Sequence, residues 1–274
     1  MKLNFWKMNG AGNDFVCLDN RDRQLRLSRR QIARLCCRQF GVGADGVLAL
    51  EPARTADCDF RMRYYNADGG EAAMCGNGAR CFARFAQQVT GSDARQLRFD
   101  TGAGPVGAEF FGRQVRVELT APRDLRLDEK IQTPAGALTV SSLNTGVPHA
   151  VVIVSDTEKI DVQKTGAALR WHRRFQPQGA NVNFAQVLAP GQIRARTYER
   201  GVEAETLACG TGVTATALVA AAKFGWRSPV TVSVRSGAKL RVLFTVSGSG
   251  AGATFSRVKL HGPAEFTFKG ELYV

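Results

Sequence analysis

The chain has 274 residues and a formal charge of +13, with 44% hydrophobic and 22% charged residues. These fractions describe a folded globular protein, and the length favours two domains of roughly 130 residues, each able to bury a core without staples. A membrane or secreted protein is excluded as an expectation. No apolar run approaches the roughly 18 residues of a span, and Met1-Lys2-Leu3-Asn4-Phe5-Trp6-Lys7 lacks an apolar signal core, so a cytoplasmic location is expected.

In chain order, Met1 to Lys7 alternates as a strand, and Asn9-Gly10-Ala11-Gly12-Asn13-Asp14 breaks it before a second strand at Phe15. Ser28 is a good N-cap for a helix to about Phe40, with Ile32, Leu35 and Cys36 on its apolar side. The loop Gly41 to Gly46 leads to strands at Val47–Leu50 and Asp59–Tyr65, and a turn at Asn66–Gly70 delivers the chain to a helix running from Cys75 to about Val89. Three strands follow, Gln96–Asp100, Pro105–Phe111 and Gln114–Leu119, with Gly112-Arg113 as a hairpin turn.

A boundary falls near Thr120-Ala121-Pro122. Strands are expected at Leu138–Leu143 and Ala150–Val154, then a helix from Asp161 to about Trp171, then strands at Ala180–Leu188 and Gln192–Tyr198. The stretch Thr211 to Phe224 is apolar on nearly every face and must be wrapped by protein. Val230–Val234, Leu240–Val246 and Thr254–Leu260 repeat the three-strand tail, and Ala264–Tyr273 is left to pair back with the first domain. The expected fold is therefore α+β: two pseudo-symmetric domains from an internal duplication, 1–120 with 264–274, and 121–263. Strands wrap a central hydrophobic helix in each.

Arg21 to Arg38 holds seven arginines and one acid, but a solvated helix face explains that run, and no nucleic-acid-binding signature accompanies it. No nucleic-acid or membrane partner is expected. The seven cysteines are odd in number, two are adjacent, and there is no Cys-x-x-Cys, which points to reduced thiols. With three histidines and no second ligand pair near Cys75 and Cys81, no metal site is expected.

Cys75-Gly76-Asn77-Gly78 is matched in the second half by Cys209-Gly210-Thr211-Gly212, with Glu71 and Glu205 four residues ahead of each cysteine. A thiol at the first turn of a helix meets unpaired N–H groups and the positive end of the dipole, which favours thiolate. The glycines let those amides approach an anion such as a carboxylate. One such cysteine is commonly a packing residue, as Cys17, Cys36, Cys37, Cys58 and Cys81 are read here; the repetition argues for chemistry. A cysteine hydrolase leaves the second thiol unexplained, and a redox pair lacks the usual close spacing. Proton exchange at carbon uses both, one thiolate removing a proton from one face and one thiol donating to the other.

The chain resembles the diaminopimelate epimerase family over essentially its whole length. The matching motifs are Lys7–Phe15, Asn66-Ala67-Asp68-Gly69, Met74–Cys81, Pro148-His149, Ala180-Asn181-Val182, Tyr198-Glu199-Arg200-Gly201 and Ala208–Gly212. The resemblance implies an isomerase that needs no cofactor, pyridoxal phosphate included. It would interconvert LL- and meso-2,6-diaminopimelate on the route to lysine and peptidoglycan, as a homodimer of the fold described above. It implies that Cys75 and Cys209 are the acid/base thiols and that Gly76-Asn77 and Gly210-Thr211 hold the reacting carboxylate. Asn13, Asn66 and Asn181 would bind substrate, as would Glu199. Arg200 would grip the distal carboxylate, and His149 and Glu199 would adjust the thiols.

Two departures stand out. Val147 occupies a position where many members have Asn, with Asn144 as a candidate replacement, and Gly46 stands where some carry Gln. Two other readings compete: a related two-cysteine racemase or epimerase acting on proline or hydroxyproline, which gives Arg200 no task, and a basic nucleic-acid-binding protein, for which the thiols are dispensable.

Overall fold

The computed structural model describes residues 2–134 and 136–273; Met1 and Val274, at the ends of two expected strands, lie outside them. The chain divides into two compact units, Met1–Glu118 with Gly262–Val274, and Leu119–His261.

In the first unit β1 (Lys2–Gly10) and β2 (Asn13–Asp19) form an antiparallel hairpin. Its tip has Ala11 at φ 70 and Gly12 at φ 100, the left-handed pair that matches the twist of a two-residue hairpin. The stretch read as a break is thus the tip of a hairpin, and β1 runs on to Gly10. A short helix α1 (Arg29–Cys36) carries the chain to β3 (Gly46–Pro52), parallel to β2. Then β4 (Phe60–Asn66) runs antiparallel to β3, and β5 (Glu71–Ala72) pairs with the end of β4 at Tyr64 and Tyr65. Helix α2 (Gly76–Thr90) crosses to β6 (Gln96–Thr101), which lies parallel to the start of β4, and β7 (Gly104–Phe111) and β8 (Gln114–Glu118) complete a meander.

The second unit opens with β9 (Arg123–Thr133), then repeats that order: β10 (Gly136–Asn144) and β11 (Pro148–Ile153) antiparallel, α3 (Val162–Arg170), and β12 (Asn181–Ala189) parallel to β11. There follow β13 (Gln192–Glu199), β14 (Ala204–Thr206), α4 (Gly210–Phe224), β15 (Val230–Ser233), β16 (Lys239–Ser247) and β17 (Thr254–Pro263). β15 is parallel to β13, as β6 is to β4. The last strand, β18 (Glu265–Tyr273), pairs with β1 just as β9 pairs with β10. The duplication therefore reaches down to the strand pairings.

In each unit the strands pack around one helix. Residues Gly76 to Ala83 of α2 are all buried, and Val213 to Ala222 of α4 likewise. Ala and Val dominate α4, so the surrounding strands approach it closely on every side. Both helices end on a left-handed glycine, Gly91 at φ 63 and Gly225 at φ 68, where any other residue would be strained. The smaller helices cover the outside: α1 seals Leu3, Val16, Leu18 and Val47, and α3 seals Val152, Val182 and Phe184.

Two expectations need correction. Helix α1 stops at Cys36 rather than near Phe40 because the chain folds back over its end: the N–H groups of Val42 and Gly43 both bond Leu35 O. Strand β9 is not among the expected strands. Its Leu125, Leu127 and Ile131 alternate as a strand should, but only Ile131 is buried, so the pattern lacked the apolar density of a core strand.

Candidate active site

Each motif cysteine is the N-cap of its unit's central helix. Cys75 precedes α2 at φ −138 and ψ 123, and Cys209 precedes α4 at φ −119 and ψ 111. At Cys75 the sulfur accepts a bond from Gly78 N–H at 3.4 Å, and the thiol faces Asn13 Oδ1 at 3.7 Å. An N–H donor to sulfur suits a thiolate and a carbonyl acceptor suits a thiol. Asn13 is held in turn by a hydrogen bond that its Nδ2 donates to Asp45 Oδ2. Behind it Lys7 and Arg38 both grip Asp14, at 2.7 and 3.1 Å. Burial opposes the Asp14 charge, but the bonds from Arg38 and Lys7 win and lower its pKa; burial and the Asp14 charge raise that of Asp45. At Cys209, Sγ lies 3.5 Å from Thr211 Oγ1, and the Thr211 carbonyl is tied down by Thr145 Oγ1 at 3.1 Å.

The approach to each thiol is clamped identically. Arg63 on β4 makes two bonds to Glu71 on β5, at 2.7 and 3.1 Å, and Arg196 on β13 makes two to Glu205 on β14, both 2.7 Å. The glutamates ahead of the two cysteines therefore fasten the short strands that aim the chain at the helix starts.

The second unit gathers most of the other sequence-predicted residues. His149 on β11 is opposite Asn181 on β12. Asn181 Oδ1 accepts from Arg200 N–H at 2.7 Å, which fixes the turn after Glu199, and Thr206 Oγ1 donates to Glu199 Oε2 at 2.9 Å. The Arg200 guanidinium donates to Gln178 O at 3.4 Å and is partly exposed; burial and the nearby Arg170 lower its pKa. In the first unit Asn66 is exposed, at the turn closed by Gly69 N–H to Asn66 O. The side chain of Asn77 points inward, to Arg80 at 3.0 Å, so what the Gly76-Asn77 loop can offer a ligand is backbone.

The Gly46 and Asn144 positions can be placed in the fold. Gly46 is the first residue of β3, not a loop residue, and a Cβ there would lie 2.5 Å from Tyr65 O. A side chain there would have to displace that carbonyl or the Tyr64 ring, 2.7 Å away. Asn144 Oδ1 accepts from Gly146 N–H at 3.0 Å, and Asn144 lines a cleft of about 300 Å³ with His149, Arg174 and Gln178.

His149 is fully buried, and its Nδ1 accepts from Asn183 Nδ2 at 3.2 Å, so the ring proton sits on Nε2, which has no hydrogen-bond partner among the described residues. Burial first, and the Arg200 charge second, push its pKa down to about 3. The ring is neutral at pH 7. An unfolded histidine takes a proton below about 6.5 while the folded one resists until about 3. Its contribution to stability is thus complete above pH 6.5 and lost progressively as pH falls toward 3. Thermal melts from pH 7 to pH 4 should show a steeper loss for the native chain than for His149→Gln; equal slopes would reject this assignment.

Cys17, Cys36, Cys58 and Cys81 are buried, as packing residues should be, and burial raises Cys17 well above the usual range and Cys36 and Cys81 to about 12; Cys37 departs from that expectation, being partly exposed with its thiol 3.6 Å from Gln39 Oε1. Among the described residues no group of three or more His, Cys, Asp or Glu is placed to hold a metal, and no helix is long and apolar enough to cross a membrane.

The profile of the diaminopimelate epimerase family matches residues 5–123 and 141–251. The chain belongs to that family. The diaminopimelate epimerase of Aquifex aeolicus is 45% identical over 89% of this chain and 90% of its own length, and that of Chlorobaculum tepidum is 40% identical over 97% and 99%. Among solved structures, a hydroxyproline epimerase from Agrobacterium vitis superposes with a TM-score of 0.77 at 14% identity, covering 99% of this chain and 92% of its own. A probable proline racemase from Agrobacterium radiobacter does so at 0.75 and 17%, over 99% and 92%. At that identity these two establish the shared fold alone.

As a diaminopimelate epimerase family member the chain is an isomerase, and its structure adds two residues that the sequence reading passed over. Asn183 on β12 is fully buried, bonds His149, Ala150 O and Thr197, and stands where a Cβ on Gly212 would fall, 2.3 Å from its Oδ1. Arg80 is also fully buried. Neither residue carries, in the sequence, a signal of its partners.

Proposed function

We propose that the chain interconverts LL- and meso-2,6-diaminopimelate without a cofactor, with Cys75 and Cys209 as the two acid/base groups on opposite faces of one α-carbon. The observation that carries this is the placement of both motif thiols at the N-caps of equivalent buried helices, in a chain 45% identical to a diaminopimelate epimerase. One thiolate takes the α-proton as the other thiol donates from behind, and configuration inverts. The first-turn amides at Gly76-Asn77 and Gly210-Thr211 hold the reacting carboxylate and offset charge as the carbon loses its proton. Asn13, Asn66, Asn181 and Glu199 bind the amino acid ends of the substrate, and the neutral His149 and Glu199 set the surroundings of the thiols.

The deciding experiment is incubation with LL-diaminopimelate in deuterium oxide, with proline and hydroxyproline in parallel. Loss of the α-proton signal together with formation of the meso isomer supports the reading. Exchange on proline or hydroxyproline alone would transfer the function to that class, and no exchange on any of the three would end the proposal.

Arg200 is assigned to the distal carboxylate, for which its planar fork is suited. Losing a charge-assisted bond of about 1.5–3 kcal/mol should raise KM for diaminopimelate roughly 10–100-fold in Arg200→Met with a smaller effect on kcat. Steady-state kinetics showing an unchanged KM would remove Arg200 from the binding set. The proposal extends to a cytoplasmic homodimer; sedimentation of a monomer at micromolar concentration would reject the dimer.

A further inference from the structure

The two units are alike in backbone but not in what backs each helix start. Gly78 packs on Leu48 and Phe15, with Cβ contacts of 3.2 and 3.4 Å, and Phe15 meets Tyr64 edge-on. The matching positions in the second unit, from the strand registers, are Asn183, His149 and Thr197. Leu48 and two aromatic rings stand in one unit and a hydrogen-bonded polar trio in the other. The larger difference lies five residues beyond each cysteine: Arg80 in the first unit, Thr214 in the second.

Arg80 is the largest fully buried side chain among the described residues. Its guanidinium donates to Gly76 O at 3.4 Å, Asn77 Oδ1 at 3.0 Å, Gly10 O at 3.2 Å and Pro263 O at 3.2 Å. All four acceptors are neutral. It forms no ion pair with a carboxylate among the described residues, and it lies in the second turn of α2, toward the end of the helix that the dipole makes positive. A buried, unneutralised charge costs several kcal/mol in general, so an anion that forms beside it only in the working enzyme is the natural counterpart. Burial lowers its pKa to about 10, which leaves it charged at neutral pH, and the two groups whose negative charge would hold its proton are Cys81 and Cys75. Cys81 is fully buried and pushed up to about 12. Cys75 is partly exposed and already accepts from Gly78 N–H.

We propose that Arg80 is the counter-cation of the Cys75 thiolate, a positioning residue that makes the two thiols unequal and leaves Cys75 as the one more readily ionised. This rests on reading Cys75 as a proton-transfer thiol. The other charges nearby do not supply the same effect: Glu265 acts on Cys81, Cys17 is a thiol that burial keeps neutral, and Asp45, with Asp14, Lys7 and Arg38, reaches Cys75 through Asn13. Glu71 is already paired with Arg63.

The test is the pH dependence of iodoacetamide alkylation in the full chain, with the Cys75 and Cys209 peptides quantified separately by mass spectrometry. In the native chain Cys75 should ionise at lower pH than Cys209. In Arg80→Met the Cys75 midpoint should rise by about one pH unit or more, the Cys209 midpoint should stay, and Arg80→Lys should restore most of the difference. A midpoint for Cys75 that does not move in Arg80→Met, or moves together with that of Cys209, or is not rescued by lysine, assigns Arg80 to a purely structural tie between Gly10 and Pro263. If Arg80→Met does not fold, the native chain decides alone: Cys209 ionising at or below the Cys75 midpoint overturns the proposal. Because alkylation needs no turnover, its outcome is separate from whether diaminopimelate is the substrate.

Discussion

Alanine at either Cys75 or Cys209 is expected to lower epimerase turnover by roughly 10²–10⁴-fold, the contribution of a positioned acid or base. Two thiols are needed for inversion because the proton leaves from one face and arrives at the other. A single-thiol variant keeps a base for one stereoisomer and lacks the donor for the opposite face. Such a variant should therefore wash solvent deuterium into one isomer while its configuration is retained, and be inert toward the other. Proton NMR with each pure isomer reads both quantities. Neither replacement should unfold the chain, since each removes one small side chain at a helix N-cap while the glycines and the Arg63–Glu71 and Arg196–Glu205 clamps stay. Full turnover in either variant would refute the two-thiol mechanism.

Gly212→Ala is expected to damage the second unit more than a methyl group suggests. The new Cβ would stand 2.3 Å from Asn183 Oδ1, which is not the loose end of a side chain. That amide is fully buried and fixed by Thr197, Ala150 and His149. Relief requires either breaking that network or sliding the start of α4, and with it Cys209. Overpacking of this kind costs about 1–3 kcal/mol, and the displaced helix start should reduce kcat/KM at least roughly tenfold, since geometry errors near one ångström at a reacting centre are expensive. Gly252→Ala is the control, because nothing lies within 4 Å of its Cβ position and its φ is ordinary. Urea unfolding and steady-state kinetics on both variants decide the matter. Equal behaviour of Gly212→Ala and Gly252→Ala would show that Asn183 gives way freely.

Elements that depend on local pattern were readable. Thr211 to Phe224 is apolar on all faces and forms a helix wrapped by strands; the repeated Cys-Gly-x-Gly gives two equivalent N-caps; Gly112 closes the expected hairpin between β7 and β8. Elements whose outcome depends on distant chain were not. The end of α1 is set by backbone from Val42 and Gly43 returning to Leu35, and β9 is held by its pairing with β10 more than by burial of its own side chains. Gly46 reads as a loop residue, yet its place in β3 against Tyr65 O requires the missing side chain.

By itself the sequence determined that two thiols sit at glycine-rich helix starts in a duplicated chain, because N-cap chemistry, glycine spacing and hydrophobic periodicity are local and leave their mark on neighbouring residues. Only the tertiary structure decided what stands behind each thiol. A polar residue in an apolar stretch announces that it is buried but not which partner satisfies it. The partners of Arg80 come from β1, α2 and the end of β17, and those of Asn183 from β11 and β13. Strand register, not spacing along the chain, brings those groups together, and it gives two nearly identical loops different electrostatic surroundings.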